Sequence, residues 1–340
     1  MTTKHTTLAE IARAVGLHVS TVSRVLNSSE AEAVQAASAD SVQRIRKVAE
    51  AMGYRPNQLA RSLKSQRTRL AGVLMPGVTD HVLAQIYEAI EIEGTAHGYE
   101  SIVANTHDRP ELQERRSLLL LDRRVDGLIL GDVPHHGGYA HALHERRVPF
   151  VLVSRHAGDF PCVVADDYGG GRAMAHHFAD LGHRDVAVLA GRPWASTGIE
   201  RTRGFVAGMA ERGVTLLPER IVATDFTNES GYQVSRELLR RDPAITALFA
   251  TNDFDALGVY GAAHELGRAP GEDLALGGFN NIAITAHLGV PMTTIDSPRQ
   301  QMGQRAMRML IDLIKGRSNG ERLFLPTQLV VRATSCPPRS

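Results

Sequence analysis

The chain has 340 residues, enough for two or three domains with separate cores, and an ordinary apolar fraction of 43% with few aromatics. No apolar run approaches the roughly 18 residues that cross a bilayer, and the N-terminus lacks a basic-then-apolar leader, so a cytoplasmic protein without membrane association is expected. The net charge of +1 hides an uneven split: residues 1–67 hold ten basic and five acidic side chains (+5), and the remainder holds 28 and 32 (−4). A basic head on a mildly acidic body suits phosphate attraction at one end of the molecule only. Cys162 and Cys336 are the only cysteines and have no metal or redox spacing, which fits a reducing compartment.

Residues 7–27, TLAEIARAVGLHVSTVSRVLN, predict two helices joined by a tight turn. Thr7 and Glu10 form a capping box, and Leu8, Ile11 and Val15 line one face of the first helix. Ala12 permits a close crossing and Gly16 suits the turn. Val22 and Val25 bury the inner face of the second helix, leaving Ser20, Thr21, Ser23, Arg24 and Asn27 outside, polar with one positive charge. A helix-turn-helix that enters DNA and a plain helical hairpin both fit this spacing. A polar, Ala-rich link follows, then a third helix from about Ser41 to Met52 with Asp40 as its cap and Val42, Ile45, Val48 and Ala49 on its apolar stripe. Arg55-Pro56-Asn57 breaks the chain, and QLARSLK is too short a helix to hold itself together, so it is expected to fold only when something packs against it.

From Leu70 short apolar strands alternate with helices: Gly72–Met75, Ser101–Ala104, Gly127–Leu130, Phe150–Val153, Val186–Ala190, Ala247–Ala250 and Leu274–Gly277, with helices such as Val82–Ala96 and Gly170–Leu181 between them. This pattern predicts parallel α/β sheets with ligands at the carboxyl ends of the strands.

The run TVSRVLN (21–27), together with YRPNQLARSLK (54–64), RVDGLIL (124–130), LGHRDVAVLAG (181–191), ERTRGF (200–205), NDFDALG (252–258) and PMTTIDSP (291–298), resembles the LacI/GalR (lactose-repressor/galactose-repressor) family over nearly the whole chain. The resemblance implies a three-helix headpiece over residues 1–55, a hinge helix over 56–67 and a two-lobed sensor like periplasmic sugar-binding proteins over 68–340. Within the sensor, residues 68–165 and 297–322 would form the N-lobe, and residues 166–296 and 323–335 the C-lobe. It implies a homodimer on a palindromic DNA operator, with Val19 and Ser20 at base-choosing positions, Asn57 and Arg61 in the hinge contact set, and Leu63 where the family wedges a leucine into the minor groove. The link after Asn27 is about five residues longer than the family usually shows. His18 replaces the usual serine at the start of the recognition helix, a weaker expected cap.

For the interlobe cleft the resemblance implies His81, Val82 and Leu83 from the N-lobe, and Asp166, Arg201, Phe226, Asn252 and Asn280 from the C-lobe. Asp166 could instead cap a helix, and Arg201 could simply form a surface pair. Asn280 stands where many members carry aspartate. Its lost charge beside Arg201 would favour a sugar acid over a neutral sugar. The cluster His135, His136, His141 and His144 runs through a Gly-Gly loop and is not expected to bind metal; His176, His177 and His183 are expected to be solvated or capping. Gly169-Gly170-Gly171 lacks a nucleotide-binding spacing, no catalytic set stands out, and no cofactor is expected. The SCPPRS tail has no heptad, which favours a dimer over a tetramer. A periplasmic-type solute-binding protein without a regulatory role is the rival reading.

Overall fold

The computed structural model describes residues 6–27, 30–54 and 67–338. The chain divides into two compact units, 1–68 and 69–340.

In the first unit, α1 (Leu8–Val15) starts at the expected capping box: the Glu10 amide donates to Thr7 Oγ1 at 3.3 Å, and the Thr7 amide donates to the Glu10 carboxylate at 2.8 Å. It ends at Gly16, whose φ of 68° is left-handed and costs glycine little. Next comes α2 (Val19–Asn27). The polar, Ala-rich link contains a further helix, α3 (Glu30–Ala36), with Ala33 buried in the shared core. Alanine and glutamate are strong helix formers, and Ala33 and Ala36 pack on the core that the other helices form. The next helix, α4 (Ala39–Ala51), starts two residues earlier than expected. Ser38 rather than Asp40 caps it, accepting from the Ser41 amide at 3.4 Å, and Asp40 sits in the first turn, where its charge favours the helix dipole. Ile11, Val15, Val22, Val25, Val42 and Ile45 fill the core.

The second unit holds two six-stranded sheets. The N-lobe sheet is wholly parallel, in the order β11-β5-β4-β3-β1-β2: β1 (Leu70–Met75), β2 (Glu100–Asn105), β3 (Gly127–Leu130), β4 (Phe150–Val153), β5 (Cys162–Ala165) and β11 (Arg322–Leu325). The C-lobe sheet runs β12-β10-β9-β8-β6-β7: β6 (Val186–Leu189), β7 (Ile221–Val222), β8 (Ala247–Ala250), β9 (Ala275–Asn280), β10 (Thr293–Asp296) and β12 (Gln328–Val330), the last antiparallel. Between strands lie α5 (His81–Ala96), α6 (Pro110–Asp122), α7 (Ala140–Glu145), α8 (Asp167–Asp180), α9 (Ser196–Glu211), α10 (Asn228–Arg241), α11 (Asp253–Glu265) and α12 (Arg299–Ile314). The chain crosses between lobes after Ala165 and after Asp296, and a third time after Leu325 rather than at Arg322. Residues 322–325 still pair with Cys162–Ala165, so 323–325 belong to the N-lobe. Nearly every central strand is buried on both faces, which explains why they read as continuous apolar runs.

Candidate DNA interface and effector cleft

Val22 and Val25 turn α2 inward, so its other face is open: His18, Val19, Ser20 and Arg24 are exposed, and Thr21, Ser23 and Asn27 are half-buried. His18 caps the helix through its ring. Its ring Nδ1 lies 3.3 Å from the Ser20 amide, which donates to it, and 2.7 Å from Ser20 Oγ. Asn27 Nδ2 donates to Ser23 Oγ at 3.3 Å, presetting two of the outward polar groups. Thr7 is engaged in its own capping box and contributes an exposed N-terminal helix end. Asn57, Arg61 and Leu63 lie outside the described residues.

In the second unit, the carboxyl ends of both parallel sheets bring polar groups together. Arg201, on α9, is buried at 5% exposure. Its Nε donates to Asp167 Oδ1 at 2.8 Å, its Nη1 to the Thr251 carbonyl at 2.8 Å, and its guanidinium lies over the Phe279 ring. The carboxylate on Arg201 is therefore Asp167, a residue the sequence reading did not single out. Asp166 caps α8, accepting from the Gly169 amide at 2.9 Å. A carboxylate that opens a helix is tied to its backbone, and the next residue points into the core. Gly171 and Gly204 let α8 and α9 pack backbone to backbone: a Cβ on Gly171 would stand 2.1 Å from the Arg201 carbonyl oxygen, and one on Gly204 would stand 2.0 Å from that of Tyr168. The glycine run serves helix packing.

Asn252 caps α11, accepting from the Phe254 amide at 2.7 Å, and is nearly buried. Phe226 is half-buried at a left-handed φ of 61°, its ring against Gly191. Asn280 has φ 112°, accepts from Ser297 Oγ at 3.3 Å, and receives Arg299 on its carbonyl. The charge argument drawn from Asn280 loses its premise, because Asp167 already neutralises Arg201. From the N-lobe, Asp80 caps α5. His81 is exposed, but Val82 and Leu83 are buried in an apolar cluster that includes Ile282, with Phe254 and Leu257 of the C-lobe packed against it. They offer an apolar seam between lobes and no polar contact.

Sequence reasoning missed the carboxylates Asp80, Asp108, Asp132 and Asp255. Burial raises the carboxyl pKa of Asp80 and Asp132 above the ordinary range, with the Arg155 charge acting against it. Asp132 accepts from Gln113 Nε2 at 2.9 Å. Each follows an apolar strand by only a few residues, which is the one signal that could have found them. His183 is buried, against expectation: Nδ1 is 2.9 Å from Thr246 Oγ1 and Nε2 is 2.7 Å from the Cys336 carbonyl, so it anchors the tail to the sheet. His141 meets the His136 carbonyl and, with His144, packs on Phe160.

Three C-lobe carboxyls carry pKa values raised chiefly by burial: Asp167 to about 6, Asp253 to about 6 and Asp255 to about 7. Because each lies above the unfolded value, the folded state holds the proton more tightly. The resulting stabilisation is complete below about pH 4 and is lost as pH rises through 6 to 7. Asp255 accepts from Thr224 Oγ1 at 2.9 Å, a bond Asn can also accept. Asp255→Asn is therefore expected to raise stability at pH 8 by on the order of 1–3 kcal/mol and to flatten its dependence between pH 5 and 8. Denaturant titrations at both pH values check this; an equal effect at pH 5 and pH 8 would remove ionisation as the cause.

Residues 7–57 match the family model described as bacterial regulatory proteins, lacI family, and residues 175–335 match the periplasmic binding protein-like domain. The chain is 30% identical over 339 residues to the HTH-type transcriptional repressor PurR of Proteus mirabilis (strain HI4320), covering 96% of each. It is also 30% identical to the protein of the same name from Erwinia tasmaniensis, covering 91% of this chain and 90% of that one. Among solved structures, the lac repressor dimer bound to operator and the anti-inducer ONPF superposes with a TM-score of 0.87 at 26% identity, covering 98% of this chain and 100% of that one. A complex of the transcriptional regulator CelR with cellobiose gives 0.75 at 27% identity, covering 97% and 100%.

Proposed function

Because the chain belongs to the LacI family of bacterial regulatory proteins, a non-enzymatic family of DNA-binding transcriptional regulators with a periplasmic-binding-protein-like sensor, we propose that it is a ligand-responsive repressor acting as a homodimer on a palindromic operator in the cytoplasm. The observation that carries this reading is the capped, outward polar face of α2 on a basic headpiece. Val19, Ser20, Thr21, Ser23, Arg24 and Asn27 meet bases and phosphates there, with Thr7 and His18 at the helix ends; valine can greet only an apolar group such as a thymine methyl, while Arg24 reads guanine or phosphate. Exposed Ile92 on α5 and Ile102 on the edge strand β2 support pairing of a second copy on the N-lobe.

The effector is a small polyhydroxylated molecule held by Arg201, Asn252 and Asn280, with Asp166 and His81 at the rim, Phe226 covering an apolar face and Val82 and Leu83 as apolar floor. A neutral sugar fits better than a sugar acid, since Asp167 spends the charge of Arg201; cellobiose in the CelR complex supports the class. Effector binding biases the angle between lobes, and a coupling of about 1–3 kcal/mol would change operator affinity about 5–150-fold.

Fluorescence anisotropy on the native upstream DNA against scrambled duplex, titrated over salt, tests the reading. A preference of about 10³ or more, with a log–log salt slope near −0.9 per phosphate neutralised, is expected. Equal weak binding to both duplexes would refute it. Leu63→Ala in the hinge should weaken operator binding and leave effector affinity nearly unchanged, because the cost of unstacking a base step is then no longer offset.

A further inference from the structure

One side of the cleft is bridged by five residues of the C-lobe. After β6 the chain runs Arg192-Pro193-Trp194-Ala195 into Ser196, the first residue of α9, and three N-lobe loops touch this stretch. The loop after β2 supplies Asp108, whose side chain is 6% exposed and accepts two hydrogen bonds from Arg155, at 2.6 and 3.2 Å. The same carboxylate takes Nη1 of Arg192 from the other lobe. The loop after β3 donates the His135 amide to the Trp194 carbonyl at 2.9 Å, and the loop after β4 donates the His156 amide to Ser196 Oγ at 3.0 Å. The indole of Trp194 is flanked by two guanidiniums, Arg155 of the N-lobe at 5.1 Å and Arg192 of its own lobe at 5.5 Å.

We propose that Arg192–Ser196 is a latch that holds the two lobes together across one side of the cleft without a ligand, with Asp108 as its catch. The charges are arranged for this. Arg155 and Asp108 form a buried pair inside the N-lobe, and Asp108 Oδ2 accepts across the gap from Arg192 as well as from Arg155. Arg192 is 27% exposed, and its other charged neighbour at salt-bridge distance among the described residues is Asp225, 3.6 Å away and largely in solvent. Closure therefore transfers Arg192 from water and a screened partner to a shielded one. The catch is held under backbone strain: His107 and Asp108 are consecutive non-glycine residues at φ 53° and 56°, and Ser154, before Arg155, is at 66°. Left-handed φ values at non-glycine residues persist where the surroundings over-determine them.

Trp194 is the only tryptophan in the chain, so its fluorescence reads the latch directly. Acrylamide quenching of the full-length protein, without DNA or ligand, tests the idea whatever the cleft binds. Arg192→Gln leaves the Arg155–Asp108 pair in place and removes only the bridge. It should raise the quenching constant about twofold, and wild type should approach that value as salt rises from about 0.05 to about 1 M. Asp108→Asn should act in the same direction, although it does not touch the indole. Arg203→Gln, which breaks an exposed pair with Glu200, should change nothing. Quenching in Arg192→Gln equal to wild type at every salt concentration would overturn the proposal. So would a shift in its emission maximum with no change in quenching, because that reports only the lost ring contact.

Discussion

Arg201→Met is expected to lower the stability of the sensor by about 3–5 kcal/mol and to weaken effector binding about 10–150-fold. The reason lies in what the arginine leaves behind. Asp167 is 3% exposed at its side chain and has Arg201 Nε as its charge partner at 2.8 Å. Methionine fills much of the volume over the Phe279 ring but leaves the carboxylate in an apolar setting and frees the Thr251 carbonyl. Its pKa, already near 6, should climb further, so the variant loses most stability at alkaline pH. Adding Asp167→Asn removes the stranded charge and should recover most of the loss, while effector affinity stays low because the planar donor is still missing. Thermal unfolding with and without effector separates the two effects. A single variant as stable as wild type would mean that Asp167 finds its proton or another partner without cost.

That pair also marks where sequence reading reached its limit. Gly127–Leu130, Phe150–Val153, Val186–Leu189 and Ala247–Ala250 were legible because a doubly covered parallel strand is a continuous apolar run, and of their ends only that at Ala190 moved, by one residue. Asp166 against Asp167 was not legible from periodicity: two adjacent aspartates before a helix differ only in which one the backbone amides capture, and that is fixed by the turn. Asp108 and Arg192 meet from segments 84 positions apart in different lobes, a proximity no local pattern carries. The helix Glu30–Ala36 is too short to show an apolar stripe of its own, although alanine and glutamate favour helix on propensity alone. His183 looked like a helix-end residue, and only the return of the C-terminal tail buries it.

Ile45→Ala should abolish specific operator binding while leaving the sensor untouched. Ile45 is fully buried where α4 closes over α1 and α2, together with Ile11, Val22 and Val25. Truncation removes three methyl or methylene groups from a core with nothing to collapse into the gap, a loss of about 2–5 kcal/mol. A domain of this size seldom has more than about 3–5 kcal/mol to lose, so most copies of the headpiece should unfold, and the recognition helix, too short to persist alone, would go with it. DNA that binds only the folded form partly offsets the loss by mass action. Affinity should therefore fall by about 100-fold or more in anisotropy at low DNA concentration, and less steeply when DNA is in large excess. The sensor forms its own compact unit, so its melting transition and its effector affinity should stay at their wild-type values. A transition lowered in both units together would show that headpiece and sensor share stability, and operator binding at wild-type strength would show that the core tolerates the cavity.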